Sequence, residues 1–99
     1  MEIVYSVEGV PIRLTDERWF HIVENHNDLA GYYDDVLETL EHPDIIVRGY
    51  NASFIAVRGY GRQTYLQVVY RQLSKHDGFI ITAYFSSKIN RQQIVWQAQ

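Results

Sequence analysis

The hydrophobic repeat of this chain changes at His42-Pro43-Asp44, and that change limits the folds open to it. Upstream, Trp19, Ile22, Val23 and His26 fall at i, i+3, i+4 and i+7 and so share one helical face; Tyr33, Val36, Leu37 and Leu40 repeat the spacing. Downstream, segments 45–50, 54–60, 65–72 and 79–86 alternate in polarity and are rich in β-branched and aromatic residues, as strands are. Their linkers hold Asn51, Gly61 and Asp77-Gly78, the residues of hairpin turns. A chain of 99 residues supports one core, so residues 1–99 are expected to form a single domain. The predicted class is α+β: two N-terminal helices packed on one face of a four-stranded antiparallel sheet whose other face is open.

The boundaries have physical causes. Thr15, followed by Asp16 and Glu17, is an N-cap with acids at the positive end of the helix dipole. Asn27-Asp28 breaks the first helix, and His42-Pro43-Asp44 ends the second. Segments 1–7 and 10–14, separated by Glu8-Gly9, read as a small N-terminal hairpin, with Pro11 tolerable near an edge. Residues 88–99 carry Ile89, Ile94, Val95 and Trp96 without a decisive period and receive no element.

Net charge is −3, but it is divided unevenly. Residues 1–47 hold eleven acids against Arg13 and Arg18, a net −9; residues 48–99 hold seven basic residues against Asp77 alone, a net +6. A basic sheet half backed by acidic helices points to a polyanion as partner, although two halves that simply neutralise each other would give the same counts. Without cysteine there is no zinc–thiolate site, thiol nucleophile or disulfide, in keeping with a cytoplasmic location. No apolar run approaches the ~20 residues of a membrane span, and no secretory leader is evident, so no membrane partner is expected.

Strand parity sorts the sheet residues. If Tyr50 faces Phe54, Tyr60 faces Tyr65 and Gln72 faces Phe79, then Ile45, Val47, Ile55, Val57, Leu66, Val68, Tyr70, Phe79, Ile81, Ala83 and Phe85 make the apolar face. The open face then carries Arg48, Tyr50, Arg58, Tyr60, Tyr65, Gln67, Arg71, Thr82 and Tyr84, interrupted by Ile46, Phe54, Val69 and Ile80. That register puts Arg58, Gln67 and Tyr84 in one row, a span of roughly 10 Å that suits a phosphodiester. Arginine forks fit phosphate oxygens and tyrosine rings stack on unpaired bases, which favours single-stranded RNA over duplex DNA.

No phosphate-binding glycine loop or dense carboxylate cluster is present, and the repeated Val-Arg-Gly-Tyr at 47–50 and 57–60 lacks the spacing of a nucleotide fingerprint. Asn51-Ala52-Ser53 fits the glycosylation pattern by chance. His21 lies off the apolar stripe and, on its own, reads first as a solvated surface residue; His26 continues the stripe at the helix's carboxyl end and reads equally well as a structural cap or core contact. Their separation turns them about 140° apart on a helix, which disfavours a shared metal. Neither a metal nor another cofactor is expected.

These residues also carry a resemblance. Leu14-Thr15-Asp16-Glu17-Arg18-Trp19-Phe20-His21-Ile22, Asn25-His26, Thr39-Leu40-Glu41-His42-Pro43-Asp44 and Ile80-Ile81-Thr82-Ala83-Tyr84 together resemble the metal-independent nucleases grouped as barnase, EndoU, colicin-type and RelE-like, especially their phage-associated branch. The chain reads His26-Asn27-Asp28 where that family often has His-Pro-Glu, so an acidic role at the third position does not carry over. The resemblance implies helices on a four-stranded sheet and RNA cleaved by attack of its own 2′-hydroxyl on the neighbouring phosphate. It carries over His21, His26, Thr82 and Tyr84 as catalytic positions, with Arg58 as a further one, and implies an antitoxin protein as partner.

The expected activity is a metal-independent ribonuclease, a toxin acting on RNA in the cytoplasm. His26 or His21 moves the proton, Arg58 with Arg48 stabilises the phosphorane, Thr82 and Tyr84 position the phosphate, and Arg48, Tyr50, Tyr60, Gln67 and Arg71 bind the substrate. The competing expectation is a noncatalytic RNA-binding or regulatory protein-interaction module that uses the same face.

Overall fold

The computed structural model describes all 99 residues, Met1–Gln99. Helix α1 (Asp16–Asn25) starts where the cap predicts, with the Arg18 amide donating to Thr15 Oγ1 at 3.1 Å. A 3₁₀ turn, Asn27–Leu29, drops Leu29 into the core, and α2 (Tyr33–Glu41) follows and stops short of Pro43. Ile22 of α1 and Val36, Leu37, Thr39 and Leu40 of α2 are the buried helical positions, so both helices bury residues of the stripes that the 3.6-residue repeat marks.

The sheet differs from the expected four antiparallel strands. It has seven: β1 (Glu2–Tyr5), β2 (Pro11–Leu14), β3 (Ile45–Arg48), β4 (Phe54–Gly59), β5 (Tyr65–Ser74), β6 (Asp77–Ser86) and β7 (Ile94–Gln97), in the order β1-β2-β6-β5-β4-β3-β7. The α+β class and the two helices stand; the four-stranded antiparallel sheet does not. The N-terminal hairpin forms as expected, but β2 continues the sheet by pairing parallel to β6, Arg13 opposite Phe79, which makes the sheet mixed. This addition buries Ile12 and Leu14 completely beneath the helices, and Arg13 holds it by an ion pair to Asp77 with its guanidinium over the Phe79 ring. At the other edge the unassigned tail supplies β7, antiparallel to β3.

Register also corrects the expected faces. β4 pairs with β5 as Arg58↔Leu66 and Val57↔Gln67, one residue away from the expected alignment, because the connection closes with the Tyr60 amide on the Thr64 carbonyl (2.8 Å) and left-handed Gly61 and Gln63. A one-residue slip reverses the side chains of a strand. Ala56, Phe54 and Arg58 therefore point to the helices together with Leu66, Val68 and Tyr70, and Arg48, expected on the open face, follows its partner Phe54 to the helix side, while Ile55 and Val57 point away. In β6 the pairing shifts between Thr82 and Ile80, leaving Ile81 as a bulge; Ile80 enters the core and Phe79 turns outward beside Arg13. Ile46, Phe54 and Ile80, three of the four interruptions of the expected polar face, are thus core-side residues.

The face without helices is not fully open. Ser86 ends β6 and Ile94 begins β7 on the far side of β5, β4 and β3, so residues 87–93 must cross over that face. Gln67, 3% exposed, fastens the crossing by donating from Nε2 to the Lys88 carbonyl at 2.9 Å. Val47 and Val57, on the same face, are buried with it.

Candidate functional site

What the crossing leaves uncovered on the helix-free face is a depression beside the β3–β4 turn. One cavity of about 390 Å³ is lined by Tyr50, Ile55, Val69, Arg71, Ile81 and Tyr84, with Gly49, Asn51 and Ser53 at the turn. A second, also about 390 Å³, shares Gly49, Tyr50 and Ile55 and is completed by Arg48, Asn90 and Gln93. Neither wall contains a carboxylate. The arginine–carboxylate ion pairs of the chain are Arg13–Asp77 and Arg58–Glu38, so the charges of Arg48 and Arg71 are not neutralised by an acid. A depression with the acid-free guanidinium of Arg71 and the tyrosine walls Tyr50 and Tyr84 fits an anionic ligand with flat rings.

His26 reaches the edge of this site. It follows α1, its amide donating to the Ile22 carbonyl, and its ring centroid stands 6.0 Å from that of Tyr84 with the planes tilted by 42°. Helix α1 lies against β6, which is why a residue at its carboxyl end meets one near the end of that strand. Burial raises the pKa of the Tyr84 phenol above its ordinary value, so the hydroxyl stays protonated throughout the neutral range and serves as a hydrogen-bond donor. Thr82 pairs with Val69 two residues away on the same strand face.

The other expected residues go elsewhere. Arg58 faces α2, with its guanidinium 3.2 Å from Glu38, and Tyr60 lies on the same side. The Tyr60 hydroxyl donates to Asp35 at 2.7 Å, and its ring packs on Tyr32 and Phe85. Burial first, and then the Asp35 hydrogen bond, push the Tyr60 phenol up to about 12. His21 is exposed on α1 between Glu17 and Glu24, 3.9 and 3.4 Å away. Gln67 is committed to the crossing segment, and Tyr65 accepts from Arg91 at 3.3 Å. The structure thus brings together His26, Tyr84, Thr82, Arg71 and Tyr50, and leaves Arg58, Tyr60, His21 and Gln67 outside that group together with Arg48, whose strand position pairs with Phe54 on the helix side.

Asn90 and Gln93 are the members that sequence reasoning did not single out. Their placement depends on the chain's return to β7, for which the only signal was the short run Ile94-Val95-Trp96. No group of three or more His, Asp or Glu side chains is gathered in metal-binding geometry, and no helix is long and apolar enough to cross a membrane. Comparison with protein-family models, curated proteins and solved structures returned no match.

Proposed function

We propose that the helix-free face binds single-stranded RNA and that His26 and Tyr84 cleave it without a metal ion. The observation that carries this reading is the juxtaposition of an imidazole and a protonated phenol at the margin of a carboxylate-free cavity that contains Arg71. Arg71 neutralises the phosphate, and the Tyr84 hydroxyl donates to a non-bridging oxygen as charge builds on it. His26 takes the proton from the 2′-hydroxyl as the 2′-oxygen bonds to phosphorus, and passes it to the 5′-oxygen as that bond breaks. The products are a 2′,3′-cyclic phosphate and a 5′-hydroxyl, and no water is consumed. Arg58, turned toward Glu38, has no part in this scheme.

The resemblance to barnase, EndoU, colicin-type and RelE-like nucleases agrees with this chemistry, and in that setting the enzyme is a cytoplasmic toxin held by an antitoxin protein. A second reading, RNA binding without cleavage, is favoured by one observation: the arginine expected to stabilise the phosphorane faces the helices. Incubating the purified protein with total RNA in excess EDTA separates the two. Cyclic-phosphate ends that accumulate in EDTA support the nuclease; strict dependence on added magnesium or manganese overturns the mechanism; retention of intact RNA supports the binding module.

A further inference from the structure

The helix-side face of the sheet ends, toward β7, in a cavity of about 220 Å³ that shares no residue with the Arg71 cavity. Two cross-strand pairs build it: Phe54 beside Tyr70, and Ile46 beside Trp96. The Phe54 and Tyr70 rings stand 5.9 Å apart with their planes tilted by 35°. A bulge in the β3–β7 pairing falls at Val95, so Val95 and Trp96, adjacent in sequence, both line the cavity instead of pointing to opposite faces. The turn between β1 and β2 closes it with Val7 and Glu8.

Glu8 is the one charged group in these walls, and it is held without being neutralised. The Val10 amide donates to Ser6 Oγ at 3.3 Å, Ser6 Oγ donates to Gln72 Oε1 at 2.7 Å, and Gln72 Nε2 donates to Glu8 Oε1 at 2.9 Å. A neutral amide thus orients the carboxylate, and none of the chain's ion pairs includes it. Its charge reaches the rings: burial first, and then the Glu8 carboxylate, raise the Tyr70 phenol above its ordinary value. Arg48, across from Phe54 on β3, is not among the walls. Three aromatic side chains beside an unpaired carboxylate give an apolar cavity a negative potential, because the face of a ring is the negative part of its quadrupole. A primary ammonium would bring three N–H donors to walls with few acceptors besides Glu8, whereas methyl groups on nitrogen suit apolar walls. We propose that this cavity binds a small quaternary ammonium compound as a free ligand, its methyl groups against Phe54, Tyr70 and Trp96 and its charge beside Glu8. At about 220 Å³ the space falls below the range of drug-sized sites and holds a compact cation. The site is independent of the RNA reading.

The two tryptophans supply the reporters: Trp96 lines the cavity, and Trp19, on α1, packs on Tyr33. Tetramethylammonium and choline titrated into the full chain should shift the Trp96 indole N–H signal saturably in NMR spectra and leave that of Trp19 in place. Neohexyl alcohol, the uncharged isostere of choline, should bind more weakly. Glu8→Gln keeps an acceptor for Gln72 and removes the charge, so choline affinity should fall by about 2- to 5-fold, the scale of an exposed ion pair. Phe54→Leu keeps apolar bulk and removes one ring, for a loss of about 2- to 30-fold. Choline and neohexyl alcohol bound equally by the parent, with Glu8→Gln unchanged, would reduce the site to an apolar cleft and overturn the cation. Glu8 is exposed in a turn, so that arm stands even if Phe54→Leu does not fold. A Trp96 signal that no cation moves overturns the site outright, and one moved by phosphatidylcholine vesicles but not by free choline replaces the free ligand by a lipid surface. Each of these failures leaves the RNA reading untouched, because Arg71 and Tyr84 line the cavity on the other face.

Discussion

The ring of His26 stands 6.0 Å from the ring of Tyr84, although the two residues are separated by most of the sheet in sequence and belong to a helix end and a strand. Their approach brings the end of α1 against β6 beside the Arg71 cavity, whose wall includes Tyr84.

Removing either partner should abolish cleavage more than binding. Tyr84→Phe deletes one hydroxyl and keeps the ring, so cleavage should fall by about 10- to 1000-fold with RNA affinity nearly unchanged. His26→Ala should cost about 100- to 10,000-fold in rate, the scale of a lost acid–base group. Single-turnover rates on a labelled RNA, with affinities measured on a 2′-O-methyl analogue, check both. Full activity in folded Tyr84→Phe would strike that residue from the site.

Two arginines on the adjacent strands β4 and β5 should behave oppositely. Arg71 faces the cavity and has no acidic partner, so Arg71→Ala should weaken RNA binding and reduce the steepness of its salt dependence, because fewer counterions are released. Arg58 faces α2 and Glu38, so Arg58→Ala should leave RNA affinity and its salt slope at parent values. Its ion pair is partly exposed and contributes at most about 1 kcal/mol to stability. Affinities across a salt series for both variants make the comparison, and a large loss in Arg58→Ala would contradict the assigned face.

Alkaline titration should report the Tyr60 environment. Its pKa is raised to about 12 in the folded protein, by burial and by the hydrogen bond to Asp35, against an ordinary 10.0. The folded state holds that proton more tightly, so the stabilisation is fully present below pH 10 and is lost as pH rises toward 12. Tyr33 and Tyr70 are also raised by burial and add to the same fall. Urea midpoints measured across this range should decline in the parent and decline less in Tyr60→Phe. Parallel declines would show that Tyr60 does not contribute.

Gly78 leaves no room for a side chain. A Cβ there would lie 2.5 Å from Ile12 Cδ1 and 2.6 Å from the Arg71 carbonyl oxygen, between β2 and β5, and the backbone atom cannot step aside as a side-chain tip can. Gly78→Ala should therefore destabilise the fold by about 1–3 kcal/mol, the cost of overpacking a tight position. A denaturant midpoint equal to that of the parent would refute the close approach.

The helices were legible in the local sequence. Thr15, the i, i+3, i+4 stripes and Pro43 set both helices, because a helix is built from contacts within a few residues and its caps are local. Strand existence was legible for the same reason, through β-branched and aromatic alternation at β3 to β6 and in the N-terminal hairpin. His26, Thr82 and Tyr84 entered as candidates through the family resemblance, and Tyr50 and Arg71 through chemistry and strand parity, while the parity that put Arg48 beside them did not survive the register of β3. Which of them meet was decided by tertiary pairing. A five-residue connection with left-handed Gly61 and Gln63 slipped β4 by one residue and sent Arg58 to the helices; a bulge at Ile81 exchanged Phe79 for Ile80 in the core. Such a shift costs no local propensity, yet it exchanges the faces of the strand, so only the burial of the finished core selects it. The parallel pairing of β2 with β6 and the return of the tail as β7 join segments whose ends lie far apart in sequence, and each four-residue strand becomes stable only on an edge already built.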